Sequence, residues 1–177
     1  MFKKIIRKHS EVPAAIAPAL CLDLDGTIRR SKSGEYINGP DDIELYPGTE
    51  EIIWQYREQG YLIFGVSNQG GVAFGFKDQP ANLAEIERTL ALFKRNPFHS
   101  IQFSLHHQEG SLSPFNYRSL LRKPETGMLA VLEVEAWNNG YVVNWKNSLL
   151  VGDRPEDQEC AALAGIQFRW AYEFFQR

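Results

Sequence analysis

The sequence predicts an α/β protein built as a three-layer sandwich, with helices on both faces of a parallel, Rossmann-like sheet. Two observations carry this prediction. Short apolar runs alternate along the chain with longer segments whose apolar residues recur at helical spacing, and such alternation is typical of βαβ units. The chain has 177 residues, of which 44 % are hydrophobic and 23 % charged, as expected for one globular domain.

Five strands are expected, the first two as buried apolar runs that end in a glycine or a polar residue and the third as an alternating strand. They cover residues 20–25, 61–66, 100–105, 148–151 and 166–170. Four helices are expected between them, since apolar residues repeat every three or four positions and breakers follow. They cover residues 49–60, 81–93, 126–136 and 156–164. Residues 28–45 are rich in turn signals and predict a small flap, and residues 106–121 predict a polar loop.

Composition narrows the class of protein. The net charge of −3 provides no global basic field for coating a long duplex, although it does not argue against binding a strand end. Two cysteines are too few for a disulfide framework or a cysteine-rich zinc site, which favours a reducing compartment. We interpret residues 1–19 as a basic N-terminal arm and 20–177 as the domain, because Pro13 and Pro18 break the apolar stretch that would otherwise suggest a secretory signal. We expect no membrane span and a cytoplasmic location.

Candidate site residues follow the predicted strands, where ligands bind in open parallel sheets. Asp23 and Asp25 close the first strand, and side-chain alternation predicts that both project toward one side. Two such carboxylates repel each other, and Mg²⁺, which prefers oxygen ligands, relieves that repulsion. Gly26 allows the chain to turn sharply beside a ligand.

Three further strand ends add to this pair. Ser67 and Asn68 provide a hydroxyl and backbone amides suited to phosphate oxygens, and Lys123 provides a point charge before a helix. Asp153 follows the fourth strand and can join a metal set, with Asp157 four residues later to support it or to orient the lysine. Each feature alone is most often an ordinary turn or a solvated charge, but their order along a βαβ chain favours one shared site.

This ordered set resembles the haloacid dehalogenase (HAD) superfamily of phosphohydrolases, from about residue 20 to the end of the chain. The resemblance implies that Asp23 is a nucleophile forming an aspartyl-phosphate and that Asp25 is the general acid and base. Phosphate would be bound by Ser67, Asn68 and Lys123. Mg²⁺ would be bound by the Asp23 carboxylate, the Asp25 carbonyl and Asp153, with Asp157 and Arg122 in supporting roles.

The segments between these motifs are too short to hold a large cap domain, which predicts an open site. The detail resembles the subgroup of histidinol-phosphate and heptose-bisphosphate phosphatases, which the run from Ser67 to Ala73 matches, and of polynucleotide 3′-phosphatases, which the run from Arg122 to Met128 matches. The first two commonly carry a cysteine-containing zinc loop, but His106 and His107 have no cysteine near them, so no zinc is expected.

The substrate stays open at this level, between a 3′-phosphate at a polynucleotide end and a small phosphorylated metabolite. Phe115 and Tyr117 could stack on a base or a sugar ring. Local basic residues could bind flanking phosphates or be solvated: Arg29, Arg30, Lys32, Arg118 and Arg122. Two non-enzyme alternatives are a degenerate phosphate-binding protein of the same fold and a receiver-type phosphoacceptor module, which the absence of an acid after Val66 disfavours.

Overall fold

The protein contains nine short strands and five α-helices within residues 15–177, which are the residues described by the computed structural model. The strands are β1 (Ala15–Ala17), β2 (Ala19–Leu22), β3 (Arg29–Ser31), β4 (Ile43–Leu45), β5 (Leu62–Asn68), β6 (Ser100–Ser104), β7 (Tyr141–Val143), β8 (Leu149–Gly152) and β9 (Gln167–Trp170). The helices are α1 (Thr49–Glu58), α2 (Gln79–Ala91), α3 (Gly127–Asn138), α4 (Pro155–Ala164) and α5 (Ala171–Phe174).

Five of the strands form one parallel sheet in the order β6-β5-β2-β8-β9. The central strand β2 is buried along its whole length, and β5 is buried up to its last residue. Strands covered on both faces read as continuous apolar runs, which is why these segments were recognisable in the sequence. The predicted fold class is therefore confirmed, and the end of β2 lies at the middle of the sheet.

Two apolar cores lie on opposite faces of the sheet. Cys21 and Phe64 face the side covered by α3 and α4, where they pack with Leu132. Leu20 and Ile63 face the side covered by α1, α2 and α5. Each core uses alternate residues of the same strands, as the pleat requires. The result is the three-layer sandwich that the sequence predicts.

Several boundaries differ from the prediction. β2 ends at Leu22 and not at Asp25, because the Leu24 carbonyl accepts hydrogen bonds from three successive amides and turns the chain. β5 extends to Asn68. α2 begins at Gln79, because the Asp78 side chain accepts a hydrogen bond from the Ala81 amide at 2.8 Å and caps the helix.

Three elements were not predicted from the sequence. β1 pairs with β7 in a separate parallel ribbon, and α5 follows β9 directly. Each has only three or four residues, too few to establish a recognisable period. Residues 1–14 of the predicted N-terminal arm lie outside the described residues, whereas Ala15–Ala17 forms β1.

The predicted flap is an antiparallel hairpin of β3 and β4 with a 3₁₀ turn at Pro40–Asp42. Within residues 15–177 only this hairpin, single helices, the strands β6 and β7, short 3₁₀ turns and loops separate the motif-bearing strand ends, so no large cap domain covers them. No helix in the part of the chain that the structure describes is long and apolar enough to cross a membrane.

Candidate active site

Asp23 and Lys123, exactly one hundred positions apart in the sequence, form a buried ion pair beyond the end of β2. The Asp23 amide still donates to the Val151 carbonyl at 2.9 Å, which holds the aspartate against β8. Lys123 Nζ lies 2.7 Å from Asp23 Oδ1 and 2.6 Å from Asp157 Oδ1. Its ammonium also donates to the Val66 carbonyl at 2.6 Å. The lysine thus joins two acids from different strand ends, as the sequence reasoning suggested for Asp157.

Asn68 holds the main chain of Lys123 in place. Its side-chain amide donates to the Lys123 carbonyl at 3.0 Å, and its side-chain carbonyl accepts from the Lys123 amide at 2.9 Å. Both polar ends of the Asn68 side chain are therefore occupied by protein. Asn68 thus holds the main chain of Lys123 in this structure, and its phosphate binding stays a prediction, because a side-chain amide has a second N–H.

Asp23, Asp153 and Asp157 form an acidic cluster in which one carboxylate oxygen from each lies within 4.8 Å of the others. Asp157 is held at the start of α4, where its Oδ2 accepts from the Arg154 amide at 3.1 Å. Gly26 makes this packing possible: its φ is +81°, and a Cβ there would lie only 2.1 Å from Asp153 Oδ2. The chain therefore needs glycine at position 26 for both its conformation and its space.

The acidic cluster contains three carboxyl groups and only one ammonium, and the pKa values of its members reflect this. Burial raises the pKa of Asp23 to about 7, with Asp157 adding to the rise and Lys123 opposing it. Partial desolvation and the nearby Asp157 raise the pKa of Asp153. Burial alone would lower the pKa of Lys123, but Asp23 and Asp157 outweigh it, so this pKa lies above its ordinary value. Three acids facing one ammonium form an oxygen-rich, electron-rich donor set of the kind that suits a hard divalent cation.

Asp25 lies in a different environment, in which each of its carboxylate oxygens accepts a hydrogen bond from a side chain. Arg29 Nε donates to Oδ1 at 2.7 Å, and Gln69 Nε2 donates to Oδ2 at 2.6 Å. Partial desolvation alone would raise the pKa of Asp25, but the Arg29 charge and the two hydrogen bonds lower it below its usual range. We call Arg29 and Gln69 the Asp25 clamp.

The buried polar face of α2 anchors this clamp. Asn82 donates to Gln69 Oε1 at 2.8 Å. Arg29 Nη1 donates to the Glu85 carbonyl at 3.0 Å and to the Thr89 hydroxyl. Asn82 and Thr89 are wholly buried, as is Arg29 itself. The sequence analysis missed this network, although three polar residues at helical spacing on an otherwise apolar face could have indicated it.

A second, partly buried ion pair continues the network toward the flap. Lys77 Nζ lies 2.6 Å from both carboxylate oxygens of Glu85 and 3.3 Å from the Ile37 carbonyl. Lys77 thereby connects α2 to the hairpin that follows Asp25. Neither Lys77 nor Glu85 was singled out from the sequence.

The remaining predicted site residues lie nearby. Ser67 is buried at the end of β5, and its hydroxyl accepts from Gln69 Nε2 at 2.8 Å. Arg122 is half-buried, and its Nη1 donates to the His106 carbonyl at 3.2 Å. Arg122 thus ties the 106–121 loop to the lysine segment.

The local basic residues are mostly engaged by protein. The expectation that Arg29 is either solvated or a phosphate contact is wrong, because this residue is fully buried against Asp25 and α2. Arg30 pairs with Glu44 at 2.6 Å, and Arg118 pairs with Glu125. Lys32 donates to the Asp41 carbonyl at 2.6 Å.

The two loop aromatics pack against a histidine. His106 contacts Phe115 at 5.7 Å and Tyr117 at 4.6 Å between ring centroids. Tyr117 keeps 52 % of its surface exposed, so part of its ring is open to solvent beside the site.

Known proteins resemble this chain in both sequence and fold. A family model described as polynucleotide kinase 3 phosphatase matches residues 19–175. The D-glycero-β-D-manno-heptose-1,7-bisphosphate 7-phosphatase of Rhodopseudomonas palustris is 31 % identical over 153 residues, covering 84 % of this chain and 80 % of the relative. A structure described as a HAD-like phosphatase from Mesorhizobium loti superposes with a TM-score of 0.71 at 29 % identity, covering 89 % of this chain and 73 % of that one.

A second solved structure is the D,D-heptose 1,7-bisphosphate phosphatase from B. bronchiseptica complexed with magnesium and phosphate. Its TM-score is 0.67 at 21 % identity, covering 85 % of this chain and 78 % of that chain. The fold, the acidic cluster and these matches define a phosphomonoester hydrolase of the HAD superfamily without a large cap domain. Within that superfamily, the chain belongs to the polynucleotide kinase 3 phosphatase family.

Proposed function

We propose that the protein is a Mg²⁺-dependent phosphatase that works through an aspartyl-phosphate on Asp23 and acts on phosphorylated sugars. The observation that carries the reaction type is the buried Lys123 ammonium between Asp23 and Asp157, with Asp153 beside them. This pairing of a buried carboxylate with a positive charge supports the proposal, because a nucleophile and electrostatic stabilisation are the main requirements of phosphoryl transfer.

The first step is attack of an Asp23 carboxylate oxygen on phosphorus. The bond from phosphorus to the leaving oxygen breaks, and that oxygen takes a proton from Asp25. Lys123 and the Ser67 hydroxyl stabilise the phosphoryl oxygens. In the second step Asp25 takes a proton from water, whose oxygen attacks phosphorus, so inorganic phosphate leaves and the Asp23 carboxylate is restored.

The Asp25 clamp favours the base role of Asp25 in the second step over its acid role in the first. Because Arg29 and Gln69 lower the pKa of Asp25, this residue rests as a carboxylate and is ready to act as the base. To act as the acid it needs a proton, and the negative charge of an arriving substrate raises its proton affinity. We infer that substrate binding and protonation of Asp25 are coupled.

The donor set around Asp23 fits Mg²⁺. The carboxylates of Asp23 and Asp153 would bind it together with the Asp25 main-chain carbonyl, and Asp157 would support them. When bound, the ion neutralises charge as the anionic nucleophile and the anionic substrate approach each other. A neighbouring structure that contains magnesium and phosphate supports this assignment.

Two observations favour a small sugar phosphate as the substrate. The heptose-bisphosphate phosphatase of R. palustris is related over four-fifths of its own length. In addition, several of the basic residues that could have contacted a nucleic-acid backbone are engaged with protein, notably Arg29 with Asp25 and Arg30 with Glu44. Phosphate contacts provide most of the affinity for a nucleic acid, so these pairings weaken that alternative.

A 3′-phosphate at a polynucleotide end is the second candidate. It is supported by the family description and by the open site, which admits a polymer end. The exposed part of the Tyr117 ring offers a face for a terminal base.

Phosphate release with Mg²⁺ distinguishes the two candidates. Heptose 1,7-bisphosphate and a 3′-phosphorylated oligonucleotide are compared at equal concentration, with the Asp23→Asn variant as the background. We expect kcat/KM to favour the sugar by 100-fold or more, about 2.7 kcal/mol of transition-state discrimination. The same preference for the oligonucleotide would overturn the substrate assignment. Release no faster than the D23N background from either compound, or from p-nitrophenyl phosphate, would indicate a degenerate phosphate-binding protein.

A further inference from the structure

The Gln69 side chain connects two residues of the proposed reaction. Its Nε2 donates to Asp25 Oδ2 at 2.6 Å and to the Ser67 hydroxyl oxygen at 2.8 Å. Its Oε1 accepts from Asn82 Nδ2 at 2.8 Å. A side-chain amide has two N–H groups, so both donors of Gln69 are used. Gln69 is only 6 % exposed, and its amide therefore forms a buried bridge from Asp25 to Ser67.

Two neighbours fix the direction in which this amide faces. A carboxylate only accepts hydrogen bonds, so the nitrogen of Gln69 faces Asp25. On the other side Asn82 presents its own amide nitrogen, which requires the carbonyl oxygen of Gln69 as its acceptor. Turning the Gln69 amide over would place oxygen against oxygen at Asp25 and nitrogen against nitrogen at Asn82. Each mismatch would leave a polar group without its partner, which costs free energy.

Asn82 has a single side-chain partner. It is wholly buried on α2, and its Nδ2 donates to Gln69. Its Oδ1 has no hydrogen-bond partner in the described part of the chain. Burying a polar atom without a partner is unfavourable, and an apolar side chain would avoid that cost. The contribution of asparagine at this position is therefore its one bond to Gln69.

The bond from Gln69 also determines what the Ser67 hydroxyl can do. Ser67 is 1 % exposed, and its oxygen accepts from Gln69. Within residues 15–177 no group of the protein accepts the hydroxyl proton of Ser67. A hydroxyl has one proton, so this proton is left for an acceptor that arrives with the substrate, such as a phosphoryl oxygen. Without the bond from Gln69 the hydroxyl is free to rotate, and its alignment toward a substrate is lost.

We propose that Gln69 is a positioning residue, which aligns Asp25 and Ser67 on one phosphoryl group. Asn82 acts through Gln69 by fixing the orientation of its amide. This inference rests on the proposed function, in which the two aligned residues handle the proton and the phosphoryl oxygen of one substrate. Small errors in such alignment cost large factors in rate, so Gln69 and Asn82 affect turnover through the residues that they hold.

Binding of inorganic phosphate tests the link to Ser67 without turnover. Calorimetric titration with Mg²⁺ present gives the Kd of phosphate for the wild type, Gln69→Met, Ser67→Ala and the double variant. We expect Q69M to raise this Kd about tenfold, the range of one hydrogen bond. In the S67A background the same change should alter the Kd less than about twofold, because both residues act through one contact. No rise in Q69M, or the same rise in both backgrounds, would overturn the inference.

Turnover of p-nitrophenyl phosphate tests the route from Asn82. We expect kcat to fall about 10- to 100-fold in Q69M. In Asn82→Leu it should fall about 3- to 10-fold, because Gln69 keeps its donors but loses the bond that orients them. The double variant Q69M/N82L should match Q69M, since Asn82 acts only through Gln69. A further loss in the double variant, equal to that of N82L alone, would contradict this route.

Gln102→Met is the matched control, because Gln102 Nε2 also donates to a carboxylate, Glu135 Oε1 at 2.8 Å, but outside the site. It should leave the Kd of phosphate and kcat unchanged. A lower Tm in Q69M with unchanged Kd and kcat would assign Gln69 a structural role only and overturn the inference. Absence of phosphate release by the wild type would instead contradict the proposed function. The comparison of Kd values would still test Gln69 and Ser67 in that case, so the two failures are distinguishable.

Discussion

Asp23 and Asp25 are the same residue type, two positions apart, yet the protein gives them opposite electrostatic environments. Asp23 is buried with Lys123 and Asp157, and its pKa rises to about 7. Asp25 keeps 40 % of its side chain exposed and is gripped by Arg29 and Gln69, which lower its pKa. The acidic cluster around Asp23 suits a metal ion and a nucleophile, whereas the clamp around Asp25 suits proton transfer.

The difference arises from the elements that supply the partners. Lys123 and Asp157 come from the segments before α3 and at the start of α4, the helices that cover one face of the sheet. Gln69 follows β5, and α2 anchors both clamp residues from the opposite side. Pairs of carboxylates whose surroundings separate their pKa values are typical of divided acid, base and nucleophile roles.

Exchanging each of these two aspartates for asparagine tests their separate roles and should cause the largest losses of activity. Asp23→Asn removes the nucleophile, and we expect kcat for p-nitrophenyl phosphate to fall by at least about 10⁴-fold. Asp25→Asn removes proton transfer and should cost about 10²- to 10⁴-fold on an alkyl phosphate. The rate of phosphate release measures the activity of both variants. Activity of D23N within tenfold of the wild type would show that the mechanism is wrong.

Removing the lysine tests the Asp23 side alone. Lys123→Met leaves two buried carboxylates without their cation, so the free energy of unfolding should fall by about 3–5 kcal/mol. Urea denaturation without Mg²⁺ measures this, with exposed Lys146→Met as the control, expected within about 0.5 kcal/mol of the wild type. The double variant D23N/K123M should be more stable than K123M. An equal or lower stability of the double variant would contradict the ion pair.

Removing the clamp arginine tests the Asp25 side. In Arg29→Met the pKa of Asp25 rises because the carboxylate loses its charged partner, so Asp25 is a weaker base and hydrolysis of the aspartyl-phosphate slows. For p-nitrophenyl phosphate, whose leaving group needs no proton, we expect kcat to fall about 10²-fold and kcat/KM, which ends at phosphoryl transfer, to fall less than about tenfold. Arg30→Met, an exposed neighbour paired with Glu44, is the control. Equal losses in kcat and kcat/KM would assign Arg29 a structural role only.

Two glycines provide a test of Asp153 as a metal ligand, with the smallest expected effect on activity. Gly26 and Gly34 both have positive φ, but a Cβ at Gly34 would have nothing within 4 Å, whereas one at Gly26 would displace Asp153. Both alanine variants suffer backbone strain of about 1 kcal/mol. Only Gly26→Ala should raise the Mg²⁺ concentration for half-maximal activity, by about 10- to 100-fold. Similar Mg²⁺ dependence in the two variants would remove Asp153 from the metal set.

Much of the fold could be predicted, because each buried strand is a local apolar run and each main helix has a local period. The positions of Asp23, Lys123, Asp153 and Asp157 near one another also followed from strand ends meeting at one edge of a parallel sheet. Element ends were less predictable. The turn at Leu24 depends on three hydrogen bonds to one carbonyl, and no local pattern announces where a strand gives way to such a turn.

The role of Arg29 could not be predicted for a different reason. An arginine in a polar, glycine-rich segment is usually solvated, and only the packing of α2 against the flap removes this one from water. The same holds for Asn68, whose amide reaches a main-chain segment 55 residues away. Contacts of this kind depend on helix placement to within an ångström or two.

The sequence by itself determined the layers of this protein, its strand ends and the residue types that meet there, since apolar periodicity and strand polarity act locally and are recorded in the order of residues. The tertiary structure alone decided which acid faces Lys123 and which faces Arg29. It also decided that the Gln69 amide lies between Asp25 and Ser67. The energy of a charge depends on the partners and the dielectric within a few ångströms, and these come from segments far apart in the chain.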